Sequence, residues 1–146
     1  MMTYYLSLGA NIGNREQTIQ QAIQMIEQQI GHVLRCSSFY YSAPCGFDSE
    51  NEFCNICCAM ETEMNPENVL ACTQQIEQQL GRTYKSDHHS AHPIYKDRTI
   101  DIDLILVFDE LREITINSPT LTLPHLHWKE RDFVTIPLSE ILNHHS

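Results

Sequence analysis

Residues 98–108 constrain the fold more than any other part of this sequence. They read Arg-Thr-Ile-Asp-Ile-Asp-Leu-Ile-Leu-Val-Phe, a β-branched and aliphatic composition that predicts a strand. Alternation along a strand places Asp101 and Asp103 on one face and their isoleucine neighbours on the other. From Leu104 onward both alternating sets are apolar, so we expect a strand that is covered on both faces.

The pair formed by Asp101 and Asp103 predicts a site for a divalent metal beside Arg98. The two Cα atoms of such a pair are about 6.6 Å apart, so both carboxylates can reach one or two hard cations. Without a cation the two acids would repel each other. The alternative is a solvated acidic pair on a half-exposed strand, because Asp-x-Asp is a short and common motif.

The order of the predicted elements indicates a ferredoxin-like α+β fold. Asn14 and Asn65 are good N-caps, each followed by isoleucine, valine or leucine at helical spacing and then by a terminal glycine. Strand, helix, strand, strand, helix, strand is the β-α-β-β-α-β order, which gives an antiparallel sheet with helices packed on it. The predicted strands are 3–8, 33–41, 53–63 and 98–108, and the predicted helices are 14–31 and 65–81.

The remaining segments carry weaker predictions. We expect residues 47–52 to continue the second strand at the surface and residues 82–97 to form a long polar loop. Residues 109–123 should form a second connection, and residues 124–142 a final short strand followed by a helical turn.

Length and composition predict one cytoplasmic domain over residues 1–146. No stretch approaches eighteen apolar residues, and the first residues do not resemble a signal peptide. Cys57 and Cys58, two of six cysteines, would point to opposite faces of a strand. Reduced, buried thiols are therefore expected, with a zinc site as the alternative.

Charge favours a small anionic ligand. The formal net charge of −10 argues against a nucleic-acid partner. Seven of the nine lysines and arginines nevertheless lie between Arg82 and Arg131. This concentration suits a nucleoside triphosphate, although scattered surface charge is the alternative.

Several separated segments, in order, resemble the 6-hydroxymethyl-7,8-dihydropterin pyrophosphokinase family. The resemblance covers almost the whole chain. It is carried by Leu6-Ser7-Leu8-Gly9-Ala10-Asn11, Ser38-Phe39-Tyr40-Tyr41-Ser42-Ala43-Pro44, Gln74-Gln75-Ile76-Glu77-Gln78-Gln79-Leu80-Gly81-Arg82, Arg98-Thr99-Ile100-Asp101-Ile102-Asp103-Leu104, and Pro124-His125 with Arg131 and Phe133.

The resemblance implies the same ferredoxin-like fold and transfer of an intact diphosphate from ATP to the hydroxymethyl group of a reduced pterin. It implies two Mg²⁺ ions on Asp101 and Asp103, with Arg82 and Arg98 as the other catalytic residues. Partners would be ATP and the pterin, without nucleic acid or membrane, and the protein would be a monomer. The implied ATP-binding residues are Gln74, Glu77, Arg82, Arg98, Leu104, Thr122, His125 and Arg131.

A flat pterin needs ring faces on its sides and polar groups at its edge. The family pattern implies pterin contacts from Ser42, Ala43, Pro44, Cys45, Gly46, Phe53, Asn55 and Phe133. Core packing is the alternative for the two phenylalanines, as it is for His125.

This sequence departs from the family pattern at three places, one of which is residues 83–97, a stretch several positions longer than in the shorter members. Residues 95–98 read Tyr-Lys-Asp-Arg where the family often has aromatic-Gly-Pro-Arg, and Leu126 stands where an aromatic often stacks on adenine. Two other functional classes stay open. One is a nucleotidyltransferase that shares only the aspartates, and the other is a non-catalytic ferredoxin-like module, for example one that binds RNA.

Overall fold

The computed structural model describes residues 1–42, 52–81 and 100–142. Predictions for residues 43–51, for 82–99 and for the last four residues fall outside this part of the chain. The strands are β1 Met2–Ala10, β2 His32–Cys36, β3 Tyr40–Ser42, β4 Phe53–Thr62, β5 Asp101–Asp109, β6 Arg112–Glu113, β7 Ile116–Asn117 and β8 Thr122–Leu123. The helices are α1 Arg15–Gln29, α2 Pro66–Gln79 and α3 Asp132–Ile141, with a 3₁₀ turn at Trp128–Glu130.

The main sheet has the strand order β2-β4-β1-β5-β6, and β3 also pairs with β4. Its strand pairs are antiparallel. Removing the short additions β3 and β6 leaves β1-α1-β2-β4-α2-β5, which is the predicted β-α-β-β-α-β core. Strands β7 and β8 form a separate two-stranded sheet. The ferredoxin-like α+β fold is therefore confirmed.

Helices α1 and α2 begin at the predicted caps and cover one face of the sheet. The Asn14 side chain accepts from the Gln17 N–H at 3.2 Å, and Asn65 accepts from the Asn68 N–H at 2.9 Å. The expected apolar stripes of both helices are buried under the sheet. The buried face of α2 differs from the expected apolar stripe in one respect. Glu77 is buried in it, whereas Leu80, the last apolar residue of the stripe, is only half-buried.

Helix α3 covers the opposite face. The predicted final short strand was wrong, and the predicted helical turn is the last part of a ten-residue helix that begins at Asp132. Val134, Leu138 and Ile141 recur at helical spacing and close a second apolar cluster around Tyr5. Pro137 lies inside this helix. Burial of the three apolar residues outweighs the N–H that this proline lacks.

Two further predictions need correction. The expected second strand is split into β2 and β3, with a register irregularity between Val33 and Arg35. The expected plain connection after β5 instead contains β6, β7 and β8. By contrast, Cys57 and Cys58 do belong to the clusters on opposite faces, and the cysteines within the described ranges are free thiols.

Arg35 joins β2 to the end of α3. Its Nε donates to the Ile141 carbonyl at 2.8 Å, and one terminal nitrogen donates to the Tyr5 hydroxyl at 3.3 Å. We expect Arg35→Met to lower the free energy of unfolding by about 1–3 kcal/mol, because hydrogen bonds from a charged donor are lost. Urea unfolding would measure this, with the exposed Arg112→Met as the matched control. Equal stability of the two variants would contradict the assigned role.

No helix in the described ranges is long and apolar enough to cross a membrane.

Candidate active site

The central strand β1 brings the predicted pterin and metal residues onto one row of the sheet. Gly9 pairs with Asn55 of β4 on one side and with Asp101 of β5 on the other. Ser7, two residues earlier, pairs with Asp103, so Asp103 lies on the same face as Asp101. Across β1, the Cα atoms of Asn55 and Asp101 are about 10 Å apart, since two strand spacings separate them. This face is the one that α3 packs against further along the strands.

Gly9 provides the space in which the Asn55 side chain lies. A Cβ atom on Gly9 would stand 2.5 Å from Asn55 Oδ1, closer than real Cβ contacts come. Asn55 is 4% exposed, and its Nδ2 donates to Ser42 Oγ at 3.4 Å. The amide is therefore held over β1, beside the aspartate row. Sequence reasoning assigned no role to Gly9, although a glycine inside a strand often marks such a close approach.

Phe53 and Phe133 approach this row from two elements. Phe53 pairs with Ser42, and alternation along β4 puts it on the same face as Asn55. Phe133 packs against the α3-face cluster, and the Arg131 guanidinium lies 5.8 Å from its ring centre. Both rings are half-buried, so both keep part of their surface accessible.

A cleft of about 330 Å³ runs along the edge of β5, within the size range of small-molecule sites. It contains Asp103 together with four of the residues predicted to bind ATP: Leu104, Thr122, His125 and Arg131. Its other lining residues were not predicted for this role. They are Leu70, Ile102, Thr120, Leu121, Leu126 and His127.

Two contacts complete the edge of β5 that faces this cleft. The His125 N–H donates to the Ile105 carbonyl at 3.0 Å, which fixes the turn that follows Leu123-Pro124, a cis peptide. Three residues before Ile105 in the same strand, the Ile102 N–H donates to Glu77 Oε2 at 2.7 Å. Strand β1 pairs with the other edge of β5. The strand that carries the aspartates is therefore hydrogen-bonded along both of its edges.

In the free protein, His125 presents a neutral ring to the cleft. Burial lowers its pKa, and the positive charge of Arg131 adds to this effect, whereas a hydrogen bond to the Leu126 carbonyl and the nearby Asp101 act in the opposite direction. A carbonyl only accepts, so Nδ1 carries the proton in the bond to Leu126. In the neutral ring, Nε2 is then the unprotonated nitrogen.

The outer wall of the cleft is tied to the start of α2. Thr120 Oγ1 donates to Glu67 at 3.0 and 3.2 Å, and Ser118 Oγ donates to the same carboxylate at 3.3 Å. The Ser118 hydroxyl oxygen also accepts from the Leu121 N–H at 3.1 Å. Glu67 therefore sets the position of the segment that precedes Thr122.

The first residues of α1 form hydrogen bonds with the start of β4, which carries Asn55, and with β3, which pairs with it. Arg15 donates to the Glu52 carbonyl at 2.8 Å, just before β4. The Tyr41 hydroxyl, in β3, donates to Glu16 at 2.7 Å. This bond raises the pKa of Tyr41 to about 12 and lowers the pKa of Glu16.

The donor set fits Mg²⁺ better than a transition metal. Mg²⁺ keeps several waters and needs only one or two protein carboxylates. Asp101 and Asp103 supply two on one face, and Asp103 opens into the cleft. Among the described residues, no group of three or more His, Cys, Asp or Glu side chains is arranged to hold a metal ion. The alternative of a cysteine zinc site is thus not formed in this part of the chain.

The remaining predicted residues divide into two groups. Gln74 is exposed on α2, and Glu77 is buried against β5, so neither is among the described residues that line the cleft. Arg82, Arg98 and residues 43–46 fall outside the described ranges.

Comparison with known proteins gives consistent results. Residues 5–143 match the family model for 7,8-dihydro-6-hydroxymethylpterin-pyrophosphokinase. A Porphyromonas gingivalis 2-amino-4-hydroxy-6-hydroxymethyldihydropteridine pyrophosphokinase is 41% identical over 143 residues, covering 97% of this chain and 91% of that protein. The Bacillus subtilis enzyme of the same name is 36% identical over 138 residues, covering 94% and 76%.

A solved structure supports the fold independently. The crystal structure of Plasmodium falciparum HPPK-DHPS superposes with a TM-score of 0.70 at 14% identity, covering 100% of this chain and 41% of that one. At this identity the likeness concerns the fold alone. The family match and the relatives carry the assignment, and this chain belongs to the 7,8-dihydro-6-hydroxymethylpterin-pyrophosphokinase family.

Proposed function

We propose that the cleft binds ATP, that Asp101 and Asp103 hold two Mg²⁺ ions, and that the pterin lies over the row formed by Asn55 and Gly9. The observation that carries this proposal is the register of β1, which sets the amide and the two carboxylates on one face. As a member of its family, the chain catalyses transfer of diphosphate from ATP to the hydroxymethyl group of 6-hydroxymethyl-7,8-dihydropterin, a step of folate biosynthesis.

The reaction needs positioning and charge neutralisation more than covalent help from the protein. The pterin hydroxyl oxygen bonds to the β-phosphorus, the bond between that phosphorus and the α,β-bridging oxygen breaks, and AMP leaves. Bound Mg²⁺ would neutralise phosphate charge and favour loss of the hydroxyl proton. Arg131 and His125, both in the cleft, would bind phosphate oxygens. Leu104 and Thr122 would contact the nucleotide, and Leu126 is placed to pack on it.

For the pterin, Asn55 offers a donor and an acceptor to the heterocycle edge. Phe53 and Phe133 would contact its ring faces, since each keeps an accessible surface beside the row. Ser42 keeps the Asn55 amide oriented. The family pattern adds Ala43, Pro44, Cys45 and Gly46 to the pterin contacts.

The family pattern also adds Arg82 and Arg98 for the phosphates. For Gln74 we propose a nucleotide contact from the exposed side of α2. The protein would act as a monomer, which light scattering after gel filtration can check.

Product analysis tests the proposed chemistry directly. Incubation with ATP, Mg²⁺ and 6-hydroxymethyl-7,8-dihydropterin should give AMP and a pterin diphosphate in equal amounts, which ³¹P NMR resolves. Release of pyrophosphate with a nucleotidylated product would instead indicate a nucleotidyltransferase. A protein that binds neither substrate would indicate a non-catalytic module.

We expect nucleotide binding to be linked to protonation of His125. In the free protein burial lowers the pKa of this ring, so it is neutral at pH 7 with Nδ1–H directed to the Leu126 carbonyl. To donate to a phosphate oxygen, Nε2 must take up a proton, which the phosphate charge favours and the positive charge of Arg131 opposes. Affinity for Mg²⁺ and α,β-methylene-ATP should therefore fall as the pH rises from the pKa of the free ring to the higher pKa of the bound ring, by at most about tenfold per pH unit, and should level off above the second value.

Calorimetry in buffers of different ionisation enthalpy measures this proton uptake. His125→Gln should bind more weakly and should take up less proton than the unsubstituted protein. Equal proton uptake by both proteins would show that His125 does not titrate on binding.

A further inference from the structure

The carboxylate of Glu77 lies against the backbone between the two predicted metal ligands. Its Oε2 accepts from the Ile102 N–H at 2.7 Å, and Ile102 stands between Asp101 and Asp103. Glu77 is 3% exposed. A carboxylate is seldom buried without a specific role, because removing its charge from water is costly.

At Ile102, the Glu77 carboxylate is the hydrogen-bond partner that a neighbouring strand would otherwise provide. On one edge, the aspartate-bearing end of β5 is paired with β1 through Gly9, Leu8 and Ser7. On the other edge, β6 pairs with only Phe108 and Asp109, at the far end of the strand. The His125 N–H bonds to this edge at Ile105, beyond Asp103, whereas the hydrogen bond from Ile102 to Glu77 lies between the two aspartates.

We infer that Glu77 is a positioning residue for the metal site, an inference that rests on the proposed role of Asp101 and Asp103. Successive residues of a strand share one pleat, so a shift or twist at Ile102 moves the Cα–Cβ directions of both neighbours. The bond to Glu77 holds that pleat and with it the spacing of the two carboxylates. Groups that orient metal ligands without touching the metal typically change metal affinity by about 10- to 100-fold when removed.

Two conservative substitutions separate this bond from the charge of Glu77. Glu77→Gln keeps an oxygen acceptor at the same reach and removes the charge. Glu77→Asp keeps the charge but retracts the carboxylate by about 1.5 Å, the length of one carbon–carbon bond, and so breaks the hydrogen bond. The pair Glu63→Gln and Glu63→Asp, at an exposed glutamate before α2, provides the matched control.

The primary measurement is the Kd of Mn²⁺ in the presence of α,β-methylene-ATP, followed by electron paramagnetic resonance. This nucleotide is inert because its bridging carbon replaces the oxygen at which the transfer cleaves. The second measurement is hydrogen exchange of the Ile102 amide by NMR in the metal-free protein. Thermal unfolding checks that each variant is folded.

We expect Glu77→Asp to raise the Mn²⁺ Kd and to speed Ile102 exchange, each by at least about tenfold. Glu77→Gln should stay within about threefold of the unsubstituted protein in both, and the Glu63 variants should match it. Unchanged Mn²⁺ binding in Glu77→Asp would overturn the inference. A raised Mn²⁺ Kd in Glu77→Gln with an unchanged Kd in Glu77→Asp would overturn it too, because the charge of Glu77 and not its hydrogen bond would then control metal affinity. If the unsubstituted protein itself binds no Mn²⁺ with the nucleotide, the proposed metal site fails instead.

Discussion

Asp101→Asn and Asp103→Asn should each lower kcat by about a thousandfold or more while the chain stays folded. Each change keeps the side-chain shape but removes a charged metal ligand, in a reaction that depends on neutralising phosphate charge. Both side chains are half-buried at one end of β5, outside the apolar clusters. We therefore expect the free energy of unfolding to change by no more than about 1 kcal/mol. Steady-state rates of AMP formation at saturating Mg²⁺ measure the first effect, and urea unfolding measures the second.

The matched control is Asp109→Asn, at the exposed opposite end of the same strand. It should retain the activity of the unsubstituted enzyme, since it lies away from the cleft. If the double variant of Asp101 and Asp103 kept a near-normal rate, the aspartates would not be the metal ligands.

Gly9→Ala should weaken pterin binding about 10- to 100-fold, while the Kd of α,β-methylene-ATP changes little. The new Cβ would meet Asn55 Oδ1 at 2.5 Å, so the amide must turn away and lose its bond to Ser42. A mispaired buried polar group costs about 1–3 kcal/mol, which corresponds to that loss of affinity. Alanine suits a strand backbone at least as well as glycine does, so the backbone itself is not the cause. Calorimetry with 6-hydroxymethylpterin and the nucleotide analogue measures the effect.

Two controls isolate the contact with Asn55. Gly13→Ala places the same methyl group where no atom lies within 4 Å, at a φ of +67°. It should reduce stability by about 1 kcal/mol without changing pterin affinity. In an Asn55→Ala background, Gly9→Ala should have no further effect on pterin binding. If Gly9→Ala still lowered pterin affinity in that background, its methyl group would be clashing with something other than the Asn55 amide.

The elements that depend on local sequence were predicted well. Asn14 and Asn65 cap α1 and α2 as expected, because capping is a contact within four residues. The placement of Asp101 and Asp103 on one face of β5 followed from strand alternation alone. The identity of the cleft residues Leu104, Thr122, His125 and Arg131 required the family resemblance in addition.

The features that were missed arise from contacts between distant segments. Only the last turn of α3 was predicted, because the stability of this helix comes from the face of the sheet that it covers. The family resemblance implied an ATP contact for Glu77, and its bond to the Ile102 N–H, twenty-five residues later, was not predicted. The space above Gly9 likewise exists only because β4 pairs with β1 in one register.

The most direct test of the account is the position of the metal in a crystal grown with Mn²⁺, α,β-methylene-ATP and 6-hydroxymethylpterin. Anomalous scattering should place two Mn²⁺ ions on the carboxylates of Asp101 and Asp103, between the nucleotide phosphates and the pterin hydroxyl. Manganese bound with both aspartates directed elsewhere, or a pterin lying away from Asn55, would contradict it.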